Sequence, residues 1–223
     1  YLAVLPQKKP RTTLTIRDGN AIKVDEVFAD YRGRVDLLVT SPPYATALPY
    51  LDTDRLSLIV LGLLPRKAHR MREAVMIGTR EITERQRIAE WERFLARKRE
   101  LPESVVTLIE RVAEHYHSGA ASVGFRRRNL PALLGKYFLD MLDAMGAAHR
   151  MMKNGAHGYY VVGNNSTEID GERVEIATDV FLFELGEKAG WNAVESINME
   201  LLPSRDIFRE NRGSKEAILC FRA

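Results

Sequence analysis

The sequence predicts an α/β protein: a mostly parallel sheet with helices on both faces. Three observations carry that expectation. Val35-Asp36-Leu37-Leu38-Val39-Thr40 and His157-Gly158-Tyr159-Tyr160-Val161-Val162-Gly163 are compact, nearly apolar runs, the pattern of strands buried on both faces. Between them Leu134, Phe138, Met141, Leu142 and Met145 recur at three- and four-residue steps, which places them on one face of a long helix. The first run ends at Ser41-Pro42-Pro43, which cannot continue a strand ladder.

The remaining elements follow in order. Thr12 to Arg17 alternates through Leu14 and Ile16 like a half-buried strand, and Asp18-Gly19-Asn20 breaks it. Ala21 to Ala29 reads as a short helix. Residues 52–116 are helical in pattern, with Leu56, Ile59, Val60 and Leu63 on one face and a highly charged helix from Glu81 to Glu100. Pro102 opens the next helix near its N-terminus. Residues 118–124 form a break before Arg126-Arg127-Arg128, and regular helix returns at Pro131. Lys153-Asn154-Gly155 is a stop signal for that helix. Val174 to Lys188 reads as helix with Gly190 just past its end. Ala193 to Leu201 and Glu216 to Phe221 read as closing strands, joined by a loop that allows an antiparallel pair. The expected organisation is one domain from residues 1–65 and 131–223, with 66–130 as a helical insertion. In such sheets ligands sit at the carboxyl ends of strands, where Ser41 to Tyr44 falls.

Composition narrows the function classes. The chain has 223 residues, 45% hydrophobic, enough for one sizeable core. It contains no apolar run long enough to span a membrane. The lone Cys220 excludes an internal disulfide framework and points to a reducing, cytoplasmic setting. Tyr1 is neither an initiator Met nor the start of a signal peptide, so the beginning reads as a cut or processed end. Net charge is +3 but uneven: residues 66–136 hold 16 Lys and Arg against 9 Asp and Glu, the rest 17 against 21. That basic block suits either a polyanionic partner or a solvated helical surface. His115 and His117 do not share a helix face and no Cys lies near them, so no metal site is expected. Trp91 and Trp191 read as packing residues.

Thr40-Ser41-Pro42-Pro43-Tyr44, entered from an apolar strand with an acidic residue near its start, resembles the catalytic motif of the amino-methyltransferases of DNA. The resemblance implies S-adenosylmethionine as cofactor, DNA as partner, and Ser41, Pro42, Pro43 and Tyr44 as catalytic residues. A Ser in first position is typical of enzymes similar to cytosine-N4 methyltransferases; adenine N6 or an RNA base is the alternative acceptor. The chemistry is coherent on its own terms. An exocyclic base amine is a poor nucleophile because its lone pair is delocalised into the ring. Ser41 Oγ and the Pro42 carbonyl can accept hydrogen bonds from that amine and localise the pair. Two prolines preorganise the acceptors. Tyr44 offers a flat face to a base extruded from the duplex.

The likeness extends to Tyr50, Arg55-Leu56, Leu61-Gly62-Leu63, Ile77-Gly78, Tyr159 to Asn164, Leu202 to Arg205 and Glu216 to Leu219, which resemble a subgroup with a helix-rich insertion after the motif. Asp18-Gly19-Asn20-Ala21 resembles the segment that holds the cofactor adenine. Asp18 and Asn20, with Thr40 and Ser41, are therefore the cofactor candidates, and ordinary turn chemistry is the alternative for the first two. Asn164, Asn165 and Ser166 either line the base pocket or cap the next helix. Arg80, Arg126, Arg127, Arg128, Arg205, Arg209 and Arg212 are candidate DNA phosphate contacts or solvated loop residues. One departure stands out: the family's Phe-x-Gly-x-Gly type cofactor loop has no counterpart here. A companion segment or chain supplying that loop is expected. A non-catalytic nucleic-acid-binding subunit is the alternative.

Overall fold

The computed structural model describes residues 13–45, 50–65, 68–118, 124–169, 171–200 and 215–223. Two short turns, the 3-10 turn Ala21–Lys23 and α1 (Val24–Val27), lead through Ala29–Tyr31 into β1 (Val35–Thr40). Five helices follow: α2 (Tyr50–Val60), α3 (His69–Val75), α4 (Glu84–Arg97), α5 (Glu103–Ser118) and α6 (Phe125–Met151). The chain then forms β2 (Met152–Gly163), the hairpin β3 (Asn165–Ile169) and β4 (Glu172–Ile176), α7 (Thr178–Lys188), β5 (Asn192–Glu200) and β6 (Lys215–Arg222). No described helix is long and apolar enough to cross a membrane.

The main sheet has the order β1-β2-β6-β5, and the mixed α/β class is the one expected. β1 and β2 run parallel, as a crossover ending in a helix requires, with Leu38 opposite Gly158 and Thr40 opposite Tyr160. β6 is antiparallel to both neighbours. The described sheet is thus less parallel than expected, because β5 and β6 are sequential strands that return on one another.

One sheet face carries the core. Leu38, Tyr160, Val162, Ala217, Leu219 and Phe221 lie against α6 and α7 in one cluster with Phe94, Val105, Ile109, Val112, Leu134, Phe138 and Met145. Segment 66–130 therefore shares the core of the sheet. α4 and α6 approach closely at Gly135, where a β-carbon would come within 2.9 Å of Phe94. Trp91 and Trp191 do pack: Trp91 lies 5.1 Å from Phe94, and Trp191 donates from Nε1 to the Met145 carbonyl at 3.0 Å.

The other face departs from expectation. Leu37 and Val39 stay 55% and 66% exposed, so no described helix covers the sheet there, and among the described residues β1 pairs on one edge only. The expected strand at Thr12–Arg17 is not formed in its described part; Leu14 and Ile16 remain exposed. Alternation creates an apolar face but not a neighbour to pair with. Arg17 instead fixes the segment through Asp30, at 2.6 and 2.9 Å, and lies over the Phe28 ring.

Two helix starts also differ. α6 begins at Phe125, with Pro131 inside it. α7 begins at Thr178, because Val174 and Ile176 belong to a hairpin whose turn uses Gly171 at φ +79°. By contrast α4 starts at a full capping box, Thr83 with Gln86, inside the charged segment expected to be helical.

Part of the basic block is spent internally. Arg93 donates to Asp140 at 2.7 Å and Asp143 at 3.2 Å, and Arg97 to Asp143 and Glu100. These bonds to Asp143 and Glu100 hold the Arg97 guanidinium well above its usual range. Lys136 and Asp140 form a buried pair one helical turn apart.

Candidate active site

β1 ends at Thr40, and Ser41 stands exposed at its carboxyl end. The two prolines are half-buried, as is Tyr44, and the loop is anchored from several sides. Tyr137, buried on α6, donates its hydroxyl to the Pro43 carbonyl at 2.9 Å. Gly78 lies beneath Pro43, in the left-handed region at φ +77°; a β-carbon there would sit 2.8 Å from the proline Cβ. The backbone before Gly78 is tied to α6 in turn, since Lys136 donates to the Met76 carbonyl at 3.2 Å. Asn165 donates to the Ala45 carbonyl at 3.0 Å.

Tyr44 is held at both ends. Its ring lies against Gly163 at the end of β2, where a β-carbon would be 2.6 Å from Cε2. Its hydroxyl donates to Glu216 Oε1 on β6 at 2.8 Å. The outcome is a short rigid loop with an exposed hydroxyl in Ser41 and a braced aromatic three residues on, a pairing suited to holding a flat polar ring.

The other candidates are placed as follows. Asn20 accepts from the Ile22 backbone at 3.1 Å and caps the turn Ala21–Lys23, which is ordinary turn chemistry. Asp18 is exposed and 3.8 Å from Arg72. Asn164 accepts from the Asp179 backbone N–H in the first turn of α7 and donates to Glu175 at 3.3 Å, so its side chain caps a helix. Arg127 pairs with Glu168 at 3.5 Å, and Arg128 is exposed. Arg80 follows Gly78 and Thr79 and is exposed. The Arg126 side chain, Arg205, Arg209 and Arg212 lie outside the described residues. The sequence marks Glu216 only as part of a closing strand and of the stretch that resembles the family, and it does not mark Tyr137; no local pattern distinguishes a core-facing Tyr or a strand Glu from one that reaches the site.

No protein-family model matches the chain. It is similar to type II methyltransferases. The proteins named Type II methyltransferase M.AvaI from Nostoc sp. (strain PCC 7120 / SAG 25.82 / UTEX 2576) and from Anabaena variabilis are each 29% identical to it over 164 residues, 73% of this chain and 32% of theirs. The chain thus spans about a third of the length of the curated relatives it matches. Among solved structures, a candidate DNA modification methylase from Thermus thermophilus aligns with 92% of this chain and 51% of its own, at 14% identity and a TM-score of 0.42. The same protein complexed with S-adenosyl-L-methionine aligns over 39% of this chain and 36% of its own, at 15% identity and a TM-score of 0.32.

Proposed function

We propose that this chain forms the base-binding, catalytic part of an S-adenosylmethionine-dependent DNA methyltransferase acting on an exocyclic base amine, preferably cytosine N4. The observation that carries the reading is the braced Ser41-Pro42-Pro43-Tyr44 loop at the carboxyl end of a parallel strand. Its similarity to type II methyltransferases supports it. Ser41 Oγ and the Pro42 carbonyl orient the amine, and Tyr44 stacks on the extruded base. The Pro43 carbonyl is engaged by Tyr137, which keeps the loop from relaxing when the base arrives.

The side chains present suit the acceptor base better than the cofactor. Asn20 is spent on its cap and Asp18 faces Arg72, leaving Thr40 and Ser41 as contacts beside the methyl donor. When bound, S-adenosylmethionine supplies an electrophilic methyl group on its sulfonium. A companion segment or chain carrying a glycine-rich loop completes its site; the lack of such a loop in this sequence and the edge of β1 left unpaired among the described residues support this. The helical segment 66–130, with Arg80, Arg127 and Arg128, serves DNA contact in this reading, and Arg126, Arg205 and Arg209 are further phosphate candidates.

The test is methyl transfer to duplex oligonucleotides, with digestion to nucleosides and mass spectrometry. Ser41→Ala should lower kcat by about a hundredfold, the scale of losing one preorganised polar contact to the reacting group, and Tyr44→Ala should lower kcat/KM for DNA by about ten- to a hundredfold, the scale of losing one base–aromatic stack. N6-methyladenine as sole product would remove the cytosine preference. The engaged Asn20 and missing glycine loop favour a second reading, a non-catalytic nucleic-acid-binding subunit. Calorimetric titration of S-adenosylmethionine into the chain, alone and with a co-purifying partner, separates the two, since the subunit reading predicts no binding in either case.

A further inference from the structure

We infer that Glu216 is a positioning residue that fixes the plane of the Tyr44 ring for base stacking, an inference resting on the reading of Tyr44 as the base-facing aromatic. A ring that receives an extruded base contributes most when its orientation is set beforehand, because ordering it during binding opposes association. A tyrosine on a loop has two side-chain torsions to fix. Here both are constrained. Gly163 seats the ring, and the Glu216 carboxylate takes its hydroxyl at 2.8 Å.

The two supports are not independent accidents of packing. Gly163 and Glu216 face one another as register partners in the β2–β6 ladder, so one rung of the sheet supplies both seat and clamp. The next rung inward, Val162 with Ala217, is buried, which ties the clamp to the rigid part of the sheet. Among the described residues no Lys or Arg lies within ion-pair distance of Glu216, so the described partner of this half-buried carboxylate is the Tyr44 hydroxyl. Its chemistry is that of an acceptor acting through the tyrosine, with no direct contact to the reacting amine required.

The experiment uses the full chain, with the companion if transfer depends on it, and four variants: Glu216→Gln, Glu216→Ala, Tyr44→Phe and the double Tyr44→Phe/Glu216→Ala. Glu216→Ala and Tyr44→Phe should each lower kcat by about tenfold, within the range known for small misplacements in an active site. KM for S-adenosylmethionine should stay unchanged. The double variant should be no worse than either single one, because both remove the same bond. Glu216→Gln keeps an acceptor oxygen and should retain most of the activity. Losses that multiply in the double variant, or a Glu216→Gln as impaired as Glu216→Ala, overturn the proposal. Should Glu216→Ala fail to fold, Tyr44→Phe removes the bond from the other side. Fluorine NMR of fluorotyrosine-labelled chain reports the same contact without turnover: the Tyr44 resonance, assigned by its loss in Tyr44→Phe, should move in Glu216→Ala and stay in Glu216→Gln. An unmoved resonance overturns the proposal. A wild-type chain that methylates no DNA under any condition instead overturns the proposed function, and the fluorine signal still decides whether Glu216 holds the ring.

Discussion

The site depends on two residues that have no side chain. Gly163 leaves room for the Tyr44 ring, and Gly78 leaves room for Pro43. Gly163→Ala places a carbon 2.6 Å from the ring and should displace Tyr44, lowering kcat while the chain still folds. Gly78→Ala meets both a close contact and a left-handed backbone, and should cost about 1–2 kcal/mol in urea unfolding. The Ser41-Pro42-Pro43-Tyr44 loop itself was legible because its signature is local: four consecutive residues after an apolar strand. Its supports were not. Tyr137 lies 94 residues from Pro43, and Glu216 lies 172 residues from Tyr44, separations that only the fold closes. Asn20 and Asn164 show the converse, since short polar side chains near helix starts bond to the backbone with or without a ligand nearby.

Among the elements, α6 ties the molecule together. Its apolar stripe was legible from periodicity, but its polar bonds were not, because Lys136 and Asp140 read as ordinary exposed charges until the helix is surrounded. Both are buried in the fold. Asp140→Ala leaves the Lys136 ammonium without its carboxylate, and should cost about 3–5 kcal/mol by chemical denaturation. The paired change Lys136→Met/Asp140→Leu should cost less, since no buried ammonium is then left unpaired and Arg93 keeps Glu90 and Asp143. α1 is fastened to the same helix differently. Asp25 accepts from Arg150 at 2.7 Å, with Arg32 at 3.8 Å, and the Arg150 hydrogen bond holds its carboxyl below the ordinary aspartate value of 3.8. A lowered carboxyl pKa in the folded state stabilises the fold above the ordinary value, and that contribution is lost as pH falls from there through the lower folded-state value. Urea midpoints measured from neutral to acid pH should therefore drop less steeply below that value in Arg150→Ala than in the parent. Equal slopes would show that the bond contributes nothing.

At the scale of the whole molecule, the α/β class followed from two apolar runs and the helix between them. The extent of covering did not follow. Val35 to Thr40 carries apolar side chains on both faces, yet only the Leu38 side meets described helices, and Leu37 and Val39 remain open beside an edge with no described partner. A sequence records which side chains call for burial, not which body provides it. Such an edge is prone to self-association, so Val39→Lys should reduce concentration-dependent light scattering of the isolated chain without lowering its unfolding temperature. If the companion docks there, the same change should weaken its capture. Residues 136 and 137, consecutive on α6, hold the carbonyls of Met76 and Pro43, and Asp140, one turn on, receives Arg93 of α4. The helical segment between motif and α6 is thus wired to the Ser41–Tyr44 loop through a shared spine. On the proposed reading, a chimera that takes this segment from a methyltransferase of different target should lose activity unless the matching residues of α6 travel with it, and target preference should change more readily by substitution within the segment than by exchange of it.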